Sequence, residues 1–135
     1  MIERYTLPKM KAIWDLQHKY EIWLQVELLA CEALEKAGTV PKGVASRIRR
    51  RAKVNPERIA AIEKVVKHDV IAFLESLAEP VGKEVRFLHI GLTSSDIVDT
   101  SLAVQMTEAL DIILVDLEAL VAVLKARAYE HRDTI

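Results

Sequence analysis

The sequence predicts an all-α protein, and three observations lead there. Only four glycines and four prolines punctuate 135 residues, too few for a turn-rich sheet protein. Ala, Leu, Glu, Lys and Arg dominate, and these are good helix formers. Apolar residues recur at helical spacing over long stretches. A composition 51% hydrophobic and 29% charged suits one globular core and argues against disorder.

Taken in order, residues 1 to 8 read as an extended lead-in, because Pro8 disfavours helix before it and suits a helix start. Residues 9 to 37 form one predicted helix, with Ile13, Trp14, Leu16, Tyr20, Trp23, Leu24, Leu28, Leu29 and Leu34 at helical spacing and Gly38 as its stop. Both tryptophans are expected to anchor the core. Pro41 and Gly43 make a turn, and residues 44 to 53 a short basic helix. Asn55 and Pro56 are a cap and a first helical residue. The stripe of Ile59, Ile62, Val66, Phe73 and Leu77 then predicts a second strong helix, ending near Pro80 and Gly82. Lys67, His68 and Asp69 fall in its middle.

Residues 85 to 91 read as a loop or short irregular stretch, and Thr93, Ser94, Ser95 and Asp96 are capping residues. No proline or glycine follows, which predicts a final helix of about 36 residues and about 54 Å. A compact chain of this length has a diameter under roughly 40 Å. The helix outgrows its own domain. Its apolar residues, among them Leu102, Met106, Leu110, Leu114, Leu117, Leu120 and Leu124, spread around most of the circumference, as in a multi-helix bundle or an oligomer core.

The net charge of -1 gives no general reason to expect nucleic acid or an acidic membrane as partner. Charge is uneven, with nine basic and two acidic residues from 42 to 67, against three and eight from 95 to 135. Arg47, Arg49, Arg50, Arg51 and Lys53 read either as a solvated helix face or as a phosphate or RNA patch. Cys31 is the only cysteine and reads as a small buried thiol. The first residues lack the apolar run of a signal peptide, and the longest apolar run is too short to span a bilayer. The expected compartment is the cytoplasm.

Three clusters offer chemistry. Lys67, His68 and Asp69 supply a cation, a group titrating near neutrality and a carboxylate, or are simply solvated. The run from His89 through Gly91 to Thr93, Ser94 and Asp96 places hydroxyls and free N–H groups at a helix start, the makings of an anion site or of an ordinary cap. Arg4 and Tyr5 could grip a phosphate and pack against a sugar or base.

Together with Trp23 to Glu27 on the first helix, these blocks resemble, in order and spacing, the adenylosuccinate lyase family of the fumarase and aspartase superfamily. The resemblance runs over the whole chain and implies its N-terminal region only. It implies an N-terminal helical domain over 1–93, and over 94–135 the first long helix of a central multi-helix bundle, truncated. By this resemblance Arg4 and Tyr5 contact the nucleotide, Lys67, His68 and Asp69 line the substrate site, Thr93 and Ser94 bind the succinyl end, and His89 sits beside the pocket. Many relatives have arginine in place of Lys67, which keeps the charge without the planar two-pronged grip.

The implied reaction releases fumarate from adenylosuccinate to give AMP, and from the succinylated aminoimidazole carboxamide ribotide of purine biosynthesis. A base takes a proton next to a carboxylate while an acid protonates the departing nitrogen. No metal or organic cofactor is implied. The general-acid histidine of a Thr-His block and the serine base of a mobile loop are expected beyond residue 135, so the catalytic acid and base lie outside this chain and His68 assists at most. The 135-residue piece alone is therefore expected to be inactive. Family members are homotetramers built through the long helix, each active site drawing on three subunits. The competing expectation is a non-catalytic helical assembly module that kept the lyase scaffold, whose gene would end at Ile135. Arg4, Tyr5 and the 67–69 trio argue against a sister lyase for argininosuccinate or aspartate.

Overall fold

A computed structural model describes residues 2–135, with nothing given for the side chain of Glu3. Met1, the first residue of the predicted lead-in, lies outside it. Among the described residues there is no strand, as the all-α expectation requires. Six α-helices follow one another: α1 (Pro8–Ile13), α2 (Leu16–Lys36), α3 (Val44–Arg51), α4 (Pro56–Val66), α5 (Asp69–Val81) and α6 (Ser94–Glu130). The lead-in contains a short 3-10 turn, Glu3–Tyr5, and a second 3-10 stretch, Gly82–Phe87, occupies part of the segment predicted to be irregular.

The helix predicted over 9 to 37 is broken in two. Trp14 leaves helical geometry, and Asp15 turns extended, its carboxylate accepting the Gln17 N–H at 2.9 Å as the cap of α2. The aspartate is an N-cap type that the apolar periodicity around it obscured. Only one tryptophan anchors the core as expected: Trp23 is fully buried, whereas Trp14, at the break, is 38% exposed. Gly38 stops α2 with φ +79°, its N–H bonding Glu35 O and the Thr39 N–H bonding Leu34 O. Those two bonds satisfy carbonyls that the helix end would leave bare.

Glu35 then starts the next helix from outside it. Its carboxylate accepts the N–H groups of Gly43 at 2.9 Å and Ala45 at 2.6 Å, which are among the donors that α3 leaves unpaired. Asn55 Oδ1 accepts the Arg58 N–H at 3.0 Å and caps α4.

The core lies between α2, α3, α4, α5 and the start of α6, and includes Tyr20, Trp23, Ile48 and Phe73. Trp23 meets Tyr20 and Phe73 edge to face at 5.2 and 5.5 Å between ring centres, an arrangement that the ring quadrupoles favour. The α6 helix docks on this core through Ile97, Ser101, Gln105 and Ala109, spaced four apart. Trp23 Nε1 donates to Ser101 Oγ at 2.8 Å, and Gln105 Nε2 donates to Ile13 O at 2.6 Å. Beyond Ala109 nothing on the helix is buried. Leu110, Leu114, Leu117, Leu120, Val121 and Leu124 all stand more than 50% exposed or close to it. At 37 residues the helix is about 55 Å long, as its unbroken sequence predicts.

Candidate functional site

The sequence placed Lys67, His68 and Asp69 in the middle of one helix; the structure corrects this. The stripe from Ile59 to Leu77 belongs to two helices that meet at the trio. Lys67 ends α4 in the left-handed region, φ +57°, a conformation that costs a side-chain-bearing residue roughly 1–2 kcal/mol. His68 is extended and caps α5, and Asp69 is the first residue of that helix. The trio is thus a corner between two helices, with Lys67 and His68 exposed to solvent there. No proline or glycine marks this break, so the pattern of apolar residues gave no warning.

The two nitrogens of His68 face different partners. Nδ1 is 3.4 Å from the Ile71 N–H and 3.5 Å from Asp69 Oδ1. These uses exclude each other, because an unprotonated nitrogen accepts from the amide and a protonated one faces the carboxylate. Asp69 Oδ1 is already taken by the Val70 N–H at 2.7 Å. Nε2 lies 3.5 Å from Ser94 Oγ. Ser94 is the first residue of α6, so the starts of α5 and α6 converge on this pair.

Asp96 caps the start of α6, its Oδ2 accepting the Thr93 N–H at 2.8 Å, while its own N–H donates to the Thr93 backbone carbonyl at 3.0 Å. Asp96 therefore serves the helix. Ser94 is half-buried, and Lys67 and Thr93 are exposed. Two helix N-termini with their positive dipole ends, a lysine and a serine hydroxyl favour an anion, although Asp69 and Asp96 already place carboxylates at both helix starts.

His89 stands just before this segment with φ +60°. Its backbone N–H donates to Glu27 Oε2 at 2.7 Å, and its Nδ1 lies 2.6 Å from Glu27 Oε1. Glu27 is wholly buried on α2. Sequence reasoning gave it no role of its own. The signal was present, however, since a carboxylate stands between Trp23 and Cys31 at intervals of four, on the stripe that faces the core.

Arg4 and Tyr5 are not brought to this place. The Arg4 guanidinium lies 4.8 Å from the Tyr5 ring centre, and both residues are exposed. Tyr5 lines a groove of about 890 Å³ with Leu7, Pro8 and Met10 on one side and Asp111, Ile112 and Asp116 of α6 on the other. Asp111 is 17 residues beyond Ser94, or about 25 Å along the helix. Within one chain the clusters form two separate places.

Three of the five basic residues of the run, Arg47, Arg49 and Arg51, are ion-paired, with two carboxylates between them. Arg47 and Arg51 meet Glu84 at 2.6 and 3.4 Å, Arg49 meets Glu32 at 2.9 Å and Arg58 meets Glu79 at 2.6 Å. That is the arrangement of a solvated helix face. Among the shifted groups, burial pushes the Cys31 thiol up, with Glu35, Glu32 and Glu27 adding to it, as expected of an inert buried cysteine. Burial, then Glu63 and Asp69, raise the Tyr20 phenol. The Ala45 and then the Gly43 N–H groups hold the Glu35 carboxyl below its usual range.

The described residues form an all-α chain that leads into one long helix. The chain belongs to the lyase family, whose model, described as Lyase, matches residues 3–135. Its relatives include the adenylosuccinate lyases of Synechocystis, Bacillus subtilis and Aquifex aeolicus, at 47, 44 and 45% identity over the whole of this chain. The chain spans 31, 31 and 32% of their respective lengths. In three dimensions it matches the crystal structure of a fumarate lyase from a Mesorhizobium species with a TM-score of 0.85 at 27% identity, over 93% of this chain and 30% of that one.

Proposed function

We propose that this chain is the nucleotide- and succinyl-binding part of an adenylosuccinate lyase, which eliminates fumarate from adenylosuccinate to give AMP and from the succinylated aminoimidazole carboxamide ribotide in purine biosynthesis. The observation that carries the reading is the meeting of His68 and Ser94 where two helices begin. The succinyl group brings two carboxylates, and N–H dipoles fixed in advance can stabilise them and the carbanion-like charge that builds up as the proton leaves. In this reading Thr93 and Ser94 hold the succinyl end, Lys67 supplies positive charge, and His68 and Asp69 orient the substrate. His89 borders the pocket. Arg4 and Tyr5 take the nucleotide.

The acid and base that move the protons belong to the rest of the protein, so residues 1–135 alone turn nothing over. We further propose that residues 1–93 form the N-terminal domain and 94–135 the start of a central bundle. The protein is then a cytoplasmic homotetramer assembled through α6. Support comes from the apolar surface left bare on α6 beyond Ala109, which water disfavours and neighbouring helices would cover. The roughly 25 Å of helix between Ser94 and Asp111, which shares a groove with Tyr5, supports it too, since a site needing both clusters would take them from different copies. No described helix is long and apolar enough to cross a membrane.

The test is fumarate release by the purified full-length gene product, given adenylosuccinate and then the carboxamide ribotide. Release from both is expected. A folded protein that releases fumarate from neither substrate would overturn the lyase reading in favour of a helical assembly module.

A further inference from the structure

We propose that Glu27 is a positioning residue for His89, fixing the imidazole with its proton on Nδ1 toward the core and leaving Nε2 for a ligand. The proposal rests on the reading of this region as a lyase site. Glu27 is 0% exposed, so it cannot itself touch a substrate. A carboxylate in that position opposes burial unless it is fully engaged. Both of its oxygens are engaged, and by one residue: the His89 N–H at 2.7 Å and His89 Nδ1 at 2.6 Å.

The two contacts do different things. The backbone bond helps hold His89 in a left-handed conformation, φ +60°, which is uncommon for a residue with a side chain. The ring contact sets the tautomer, because an ionised carboxylate only accepts and Nδ1 must then donate. Nε2 has no hydrogen-bond partner among the described residues, and the side chain is 19% exposed. One buried acid on α2 thereby fixes both where the His89 ring stands and which nitrogen it offers. Ser94 is five positions beyond His89, a reach of at most about 18 Å.

The test has two arms, both on the full-length gene product. In the first, histidine is labelled with ¹⁵N and the His89 signal assigned by its loss in H89Q. A protonated Nδ1 is expected at alkaline pH in the unsubstituted protein, and a bare Nδ1 would overturn the proposal. This arm needs neither turnover nor a Glu27 variant that folds. In the second, fumarate release is measured for E27Q, H89A and the double variant. The amide keeps the shape but can donate to the ring, so E27Q should lose about 10- to 100-fold in kcat/KM. Made in the H89A background, the same change should cost less than about threefold. Equal losses in both backgrounds would show a merely structural role and overturn the proposal. If the unsubstituted protein releases no fumarate, the lyase reading fails and the labelled ring alone decides the assignment of Glu27.

Discussion

Trp23 and Ser101 share a buried hydrogen bond, indole Nε1 to hydroxyl at 2.8 Å, across 78 positions of sequence. Ser101 passes the polarity on, its hydroxyl donating to Val98 O at 2.9 Å. The pair ties α2 to α6 inside the aromatic core. S101A leaves the indole N–H without a partner, and a loss of about 1–3 kcal/mol is expected. W23A also opens a cavity and should cost about 3–5 kcal/mol. Urea unfolding at fixed protein concentration checks both, and an S101A midpoint equal to the unsubstituted protein's would refute the first.

Glu35 makes part of the stability depend on pH. Its folded-state carboxyl sits below the usual range because two backbone N–H groups donate to it. The unfolded chain therefore binds more protons between that value and the ordinary one of about 4.3. The contribution is whole above about pH 4.3 and drains away as the pH falls through the folded value. E35Q should melt lower than the parent at neutral pH and show a flatter decline in acid. Thermal melts from neutral pH down to about pH 3 would show it, and parallel curves would contradict it.

His68 can be altered without removing its cap. Asparagine is a good N-cap, so H68N should preserve the start of α5 while deleting the ring beside Ser94. The expected result is a kcat/KM for fumarate release reduced by about 100-fold through lost substrate orientation, with little change in melting temperature. S94A should lose about 10- to 100-fold, mainly through KM, as the loss of a hydrogen bond to a charged group predicts. Unchanged kinetics in both would remove the succinyl end from this corner.

The bare surface of α6 should govern assembly. Lysines in place of Leu114, Leu117 and Leu124, which stand 48 to 59% exposed, are compatible with the fold of one chain but not with burial against another. The triple variant is expected to sediment as a smaller species than the parent. An unchanged sedimentation coefficient would place the subunit interface elsewhere.

Much of this fold is legible in the sequence, and the illegible parts have physical reasons. The long helix, the Gly38 stop and the Asn55 cap are all announced by residue types with few alternative uses. The breaks at Trp14 and Lys67 are not, because Asp15 and His68 cap their helices within an apolar stripe that continues on either side. Trp14 keeps the helical spacing but not the burial. In the candidate site, the residue types were readable and their grouping was not: His68 with Ser94, and Tyr5 with Asp111 and Asp116, are tertiary facts. Glu27 shows the remaining limit, since a charged residue on a core-facing stripe signals a buried partner without saying which one.

The α6 helix also acts as a ruler. The corner at Ser94 and the groove at Asp111 to Asp116 are held on one rigid rod, so their separation and relative bearing are set by residue count alone. Removing one residue between positions 94 and 111 would shorten the gap by about 1.5 Å and swing the groove's acidic wall about 100° around the axis. A change of length in that segment is therefore a change of aim: the helix would survive while Asp111 and Asp116 turned away from Tyr5.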